Sequence, residues 1–123
     1  MPILENIRVR QEAVQLAQMI YKFCKENKNI SGDYWLRDQL QRSSVSIASN
    51  IAEWNDRESN KEFLRFLYIA RGSCSELKTQ LYIIKWLWYV LEKEFDNLIG
   101  KNIKIHKMLN WMIKSIKEKE LII

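Results

Sequence analysis

The stretch FLRFLYIARGSCSELKTQLYIIKWLW, residues 63–88, decides the fold class. Phe63, Leu67, Ala70, Cys74, Leu77, Leu81, Ile84 and Trp88 recur in alternating steps of four and three. This spacing lays an apolar seam along one face of an α-helix and is sustained for over three heptads, the pattern of helices packed at a shallow angle. It predicts a helix over about 58–90. Gly72 sits in its middle, where glycine costs about 1 kcal/mol relative to alanine. A close helix crossing, with Ser73 beside it, is one way to recover that cost.

Upstream, QRSSVSIASNIAEW (41–54) raises a separate question, because serine is a mediocre helix former and four of them crowd two turns. Leu36, Leu40, Ser44, Ile47, Ile51 and Trp54 still mark a helical stripe, which predicts a helix over 34–54 capped by Asp33. Ser43, Ser44, Ala48 and Ser49 give that helix a narrow profile, so tight packing against a neighbour is the favoured explanation. A serine nucleophile would need a base, and the single histidine, His106, lies in the last helical segment with no GxSxG elbow in the chain.

Two more helices complete the pattern. The first covers about 4–27, with Ile7, Val14, Ala17, Tyr21 and Cys24 as its stripe and Ala13, Leu16, Ile20 and Phe23 widening the face. KNISGD (28–33) is read as a break of turn formers. The last covers about 93–119, with Leu98, Ile105, Leu109, Met112 and Ile116 as its stripe and polar Asn102 among them. NDRES (55–59) offers Asn55 or Asp56 as caps, and EKEFDN is a weakly marked boundary. Four helices with short connections predict an all-α, antiparallel up-down-up-down four-helix bundle in one domain, 1–123.

Composition agrees. Three glycines and one proline, Pro2, are too few for the turns of a typical all-β protein. Hydrophobic residues make up 47% and charged ones 28%, the balance of a soluble globular chain. No signal peptide opens the sequence, and LYIIKWLWYVL (81–91) is too short to span a bilayer, so the expected location is the cytoplasm, with no membrane partner. Cys24 and Cys74 fall on apolar stripes and read as buried free thiols.

The pattern RQEAVQLAQMIYKF (10–23), QLQRSSVSIASNIAEW (39–54), the run from Arg57 to Leu81, and KMLNWMIKSIK (107–117) resembles the four-helix-bundle proteins encoded in intervening sequences of bacterial 23S ribosomal RNA genes. Those are similar in turn to the accessory protein of diversity-generating retroelements. The resemblance implies a pentameric ring, and by way of the accessory protein a role with nucleic acid and a reverse transcriptase partner. Three departures stand out: Trp54 replaces a usual glycine, a usual tryptophan near Arg10 is missing, and NISGDY replaces a Phe-Pro segment.

The residues themselves add two surfaces. Lys104, Lys107 and Lys114, with Lys117 at the edge, occupy an arc of the last helix nearly opposite its apolar stripe and can contact phosphates of RNA or DNA. Asn50, Glu53, Arg57, Glu62, Arg71 and Glu76, which match the family pattern, are read with Ser43, Ser44 and Gly72 as helix-packing or subunit-interface positions. Glu62 and Glu76 lie about 21 Å apart along one helix, too far to share an acid–base site. Trp35, Trp86 and Trp111 fall at stripe edges, as interface aromatics do. No metal, cofactor or nucleotide-phosphate motif is present. The expectation is a non-enzymatic oligomeric scaffold that binds nucleic acid. The alternatives are a purely structural oligomer or a reverse transcriptase accessory subunit.

Overall fold

The computed structural model describes residues 3–52 and 59–122, with side chains described for 6–52 and 59–119. These residues form five helices and no strand: α1 Ile3–Glu26, α2 Lys28–Ser31, α3 Tyr34–Ala52, α4 Asn60–Trp86 and α5 Glu92–Ile122. Among the long helices, α1 packs on α3 and α5, and α4 packs on the same two, so each touches two neighbours and not the one diagonally opposite. Hydrogen bonds fix the directions. Ser43 and Ser46 of α3 reach Gln80 and Ser73 of α4 respectively, while Arg71 and Cys74 of α4 meet Asn110 and Asn102 of α5. Both pairs are therefore antiparallel.

The seam read from α4 is buried from Phe63 through Ile84. It meets the stripes of α3 (Leu36, Leu40, Ser44, Ile47, Ile51) and α5 (Leu98, Ile105, Leu109, Met112, Ile116), all of them buried. Asn102, fully buried within the α5 stripe, donates through Nδ2 to Cys74 O at 2.9 Å. Both cysteines are free and buried. Burial raises the Cys24 thiol to about 11 and the Cys74 thiol to about 12, which keeps them protonated and unreactive at neutral pH.

Four expectations change. The stripe assigned to α1 is displaced: Val9, Ala13, Leu16, Ile20, Phe23 and Cys24 are buried, while Ile7, Val14 and Tyr21 are 41%, 48% and 48% exposed. The helix carries two apolar stripes, and spacing alone does not say which one meets the core. The KNISGD break contains a single helical turn, α2, capped by Asn27, whose side chain accepts from Ile30 N at 3.1 Å and whose Nδ2 donates to Tyr89 O at 2.5 Å. Ile30 is fully buried and anchors this turn. Asp33 caps α3 as expected, accepting from Leu36 N at 3.1 Å.

The last two changes concern the ends of α4. The helix stops at Trp86 rather than near residue 90, and Trp88 is 89% exposed rather than in the seam. Trp88 N–H donates to Lys85 O at 3.1 Å and Tyr89 N–H to Ile84 O at 3.0 Å, with Trp88 at φ 61. This is a Schellman termination with tryptophan where glycine normally stands. At the other end, Ser59 is the cap, accepting from Glu62 N at 3.2 Å. Asn55 and Asp56, the caps expected from sequence, lie outside the described residues, as do Glu53, Trp54 and Arg57.

Candidate nucleic-acid interface

Charge on this chain is concentrated. Between Lys101 and Lys119, α5 carries six lysines and one acid, Glu118, an excess equal to the net charge of +5 for the whole chain. The helix forms because its apolar stripe docks on α1 and α4, and the lysines are left on what remains of its circumference.

The four lysines singled out from sequence have different surroundings. Lys104 lies at the α1 edge, where Nζ meets Glu12 Oε1 at 3.0 Å; Lys101 pairs with the same carboxylate and donates to Gln15 Oε1 at 2.6 Å. The hydrogen bond from Lys101 holds the Glu12 carboxyl below its usual 4.5, and the charges of both lysines reinforce this against the opposing effect of burial. Lys117 lies at the α4 edge, with Nζ 5.3 Å from the centre of the Tyr68 ring. Lys114 faces Glu118 at 3.9 Å, a pair so exposed that it contributes little. Lys107 is exposed and has no ion pair among the described residues.

A cleft of about 360 Å³ opens beside Lys107, lined by Arg8, Lys107, Met108, Trp111 and Met112. Arg8 comes from α1, near the other end of the sequence, and the packing of α1 on α5 brings it there. An indole that is half exposed and flanked by two cations from different helices can accept a base on its face and phosphates at its rim. Sequence reading did not find Arg8, and it placed Trp111 only at a stripe edge.

The polar set assigned to packing divides in two. Ser43 Oγ donates to Gln80 Oε1 at 2.7 Å, the Ser46 and Ser73 hydroxyls lie 2.8 Å apart, and Asn50 Nδ2 donates to Ser46 O at 2.8 Å. Ser44 is fully buried and satisfies its hydroxyl on Gln41 O at 2.9 Å. These contacts answer the question of the serines: they are small enough for α3 and α4 to approach, and each hydroxyl finds a partner. Arg71 Nη1 donates to Asn110 Oδ1 at 3.1 Å and its guanidinium lies over the Tyr68 ring at 5.1 Å.

Glu62, Gly72 and Glu76 are exposed. Gly72 marks no close crossing within the chain, since a Cβ there would meet nothing within 4 Å. Burial lowers the His106 pKa, and the Arg71 and Lys78 charges lower it further, so the imidazole is uncharged at neutral pH. Trp35 and Trp86 are exposed, at the end of the molecule that holds the α4–α5 turn. Among the described residues no group of three or more His, Cys, Asp or Glu could hold a metal ion, and no helix is long and apolar enough to cross a membrane.

Comparisons with known proteins agree with this architecture. A crystal structure of a protein of unknown function from the S23 ribosomal protein family of Bacteroides thetaiotaomicron superposes with a TM-score of 0.84 at 24% identity, over 89% of this chain and 98% of that one. At that identity the likeness establishes the fold. No curated protein sequence matches. The family model for the 23S rRNA-intervening sequence protein matches residues 5–111, and the chain belongs to that family.

Proposed function

We propose that this protein is a non-enzymatic scaffold: an antiparallel four-helix bundle that self-associates, as a pentamer by resemblance, and holds RNA or DNA on a basic surface repeated in each subunit. The observation that carries this reading is the convergence of Arg8 and Lys107 on Trp111, beside the lysine arc of α5. Lys114 extends the surface along the helix, and Lys104 adds to it at the α1 edge, shared with Glu12. Repetition around a closed assembly sums the fields of these patches, which raises the local concentration of a polyanion.

The test is anisotropy of labelled single-stranded RNA and DNA against salt, on protein of known mass in solution. Three phosphate contacts per subunit, at Arg8, Lys107 and Lys114, give a log–log slope of about −2 for a single strand engaging one subunit. In Arg8→Glu/Lys107→Glu the slope falls towards zero while helicity is retained. Absence of binding at low salt would overturn the nucleic-acid reading. It would favour a second one, a purely structural oligomer, which the outward apolar stripe of α1 supports.

A further inference from the structure

The most exposed apolar side chains gather at one end of the bundle. Tyr34, Trp35, Trp86, Trp88 and Leu91 are 65–89% exposed, and no other large hydrophobic among the described residues reaches one half. Tyr34 and Trp35 open α3, Trp86 closes α4, and Trp88 and Leu91 lie in the turn to α5. The bonds from Ser43 to Gln80 and between Ser46 and Ser73 set the register of α3 on α4, and continuing it places Trp35 level with Trp86. Asn27 ties the turn to the end of α1 through Tyr89 O. At the about 150–250 Å² that an aromatic side chain presents, these residues expose roughly 800 Å², more than the about 300–600 Å² of the largest apolar patch on a typical monomer. Trp88 is held there at φ 61, where glycine would be unstrained, so its indole is kept in the open at a cost to the fold.

We propose that this end docks on the headgroup layer of a zwitterionic phospholipid membrane. No described helix is long and apolar enough to cross a bilayer, and the contact is with its surface. Tryptophan and tyrosine concentrate at the membrane–water interface, where the ring enters the acyl boundary and the N–H or O–H stays with the headgroups. The charges agree. The last turns of α1 and α4, the first turns of α3 and α5 and the segments between them carry five cations, Lys25, Lys28, Arg37, Lys85 and Lys93, against four carboxylates. That near balance contrasts with the lysine excess further along α5. It does not draw a polyanion, but a headgroup with one phosphate and one ammonium finds a partner for each. A cleft of about 500 Å³ in this surface is lined by Tyr82, Lys85, Trp86, Trp88, Val90 and Glu92. Lys85, with Nζ 4.4 Å from the centre of the Phe95 ring, is the group for the phosphate, and Glu92 with the indole faces serves the ammonium.

The shape of this end favours a fluid partner over a rigid one. Trp86 and Trp88 are open on almost every side. A second copy meeting this end with its own would need about 800 Å² from each partner for a standard interface. That is all of the apolar surface present, and two sets of protruding rings touch only at their tips. Lipid closes around each ring instead. The Arg8–Lys107–Trp111 cleft lies towards the opposite end, since Arg8 is about 27 Å from Glu26 along α1. The lipid contact therefore stands apart from the nucleic-acid reading and does not depend on it.

Sedimentation of the full chain with vesicles of phosphatidylethanolamine and phosphatidylcholine tests this, at about 0.5 M salt so that the α5 lysines are screened. Wild-type protein is expected to sediment with the vesicles, with its tryptophan emission shifted to the blue. Trp35→Gln combined with Trp86→Gln, both on exposed positions, is expected to keep the circular dichroism of wild type and to weaken vesicle binding by at least about tenfold. Protein that stays in the supernatant would overturn the proposal, as would binding that survives in the double variant. Binding that needs phosphatidylglycerol in the vesicles and disappears at high salt would overturn it in favour of the α5 lysines. A wild-type mass in solution that falls in the double variant, measured by light scattering without lipid, would overturn it in favour of a second copy of the chain.

Discussion

Replacing Gly72 with alanine tests whether this glycine packs against anything inside the chain. Gly72 lies deep inside the 27-residue helix α4, is exposed, and would place a new methyl group in open space. No contact is lost and none is strained within the chain. The change therefore acts through the unfolded state and helix propensity, and is expected to stabilise the protomer by about 0.5–1 kcal/mol. For a chain of this length that corresponds to a rise of roughly 2–4 °C in Tm. The assay is thermal and guanidinium unfolding followed by circular dichroism, at concentrations low enough for light scattering to report monomer. A lower protomer Tm would refute the claim that Gly72 has no packing role inside the chain.

Glu12→Gln is expected to lower stability at pH 7 by about 1 kcal/mol, since a carboxylate only 18% exposed holds two lysines. Because the folded-state pKa of Glu12 is depressed, its contribution is present above pH 4.5 and lost as pH falls through the folded value, so the variant should show a shallower acid limb in a pH–stability profile. The same variant frees Lys101 and Lys104 and is expected to bind RNA more tightly in the anisotropy assay, a change opposite in sign to its effect on stability. Trp88→Gly removes a left-handed tryptophan and is expected to raise Tm by roughly 2–4 °C; a fall would mean that the exposed indole makes stabilising contacts.

Periodicity revealed the helices because burying one stripe is what stabilises each of them. The seam of α4 is apolar at every turn from Phe63 to Ile84, and nothing else in the chain competes with it. On α1 the same signal is doubled, and the choice between Val9–Leu16–Phe23 and Ile7–Val14–Tyr21 depends on a partner that spacing does not encode. The end of α4 was hidden because tryptophan occupies the conformation that glycine usually announces. Asn27 was read only as the last residue of the first helix, because its bond to Tyr89 O joins segments 62 residues apart. The lysine arc of α5 could be drawn from sequence. Arg8 could not, since only the packing of α1 on α5 brings it to Trp111.

The bond from Asn102 to Cys74 O bears on folding as well as on the folded state. Helices built on a seven-residue repeat can dock one repeat out of place, about 10 Å along the axis, with most apolar contacts intact. Such a slip would set the Asn102 amide against Leu67 or Leu81 in place of Cys74, where the larger side chain crowds the approach to the backbone carbonyl, and an amide kept from its acceptor there costs about 1–3 kcal/mol. One buried amide thus penalises mis-threaded forms of the molecule far more than it strengthens the correct one. Its replacement by leucine should show first as slower or heterogeneous refolding, before any loss of equilibrium stability.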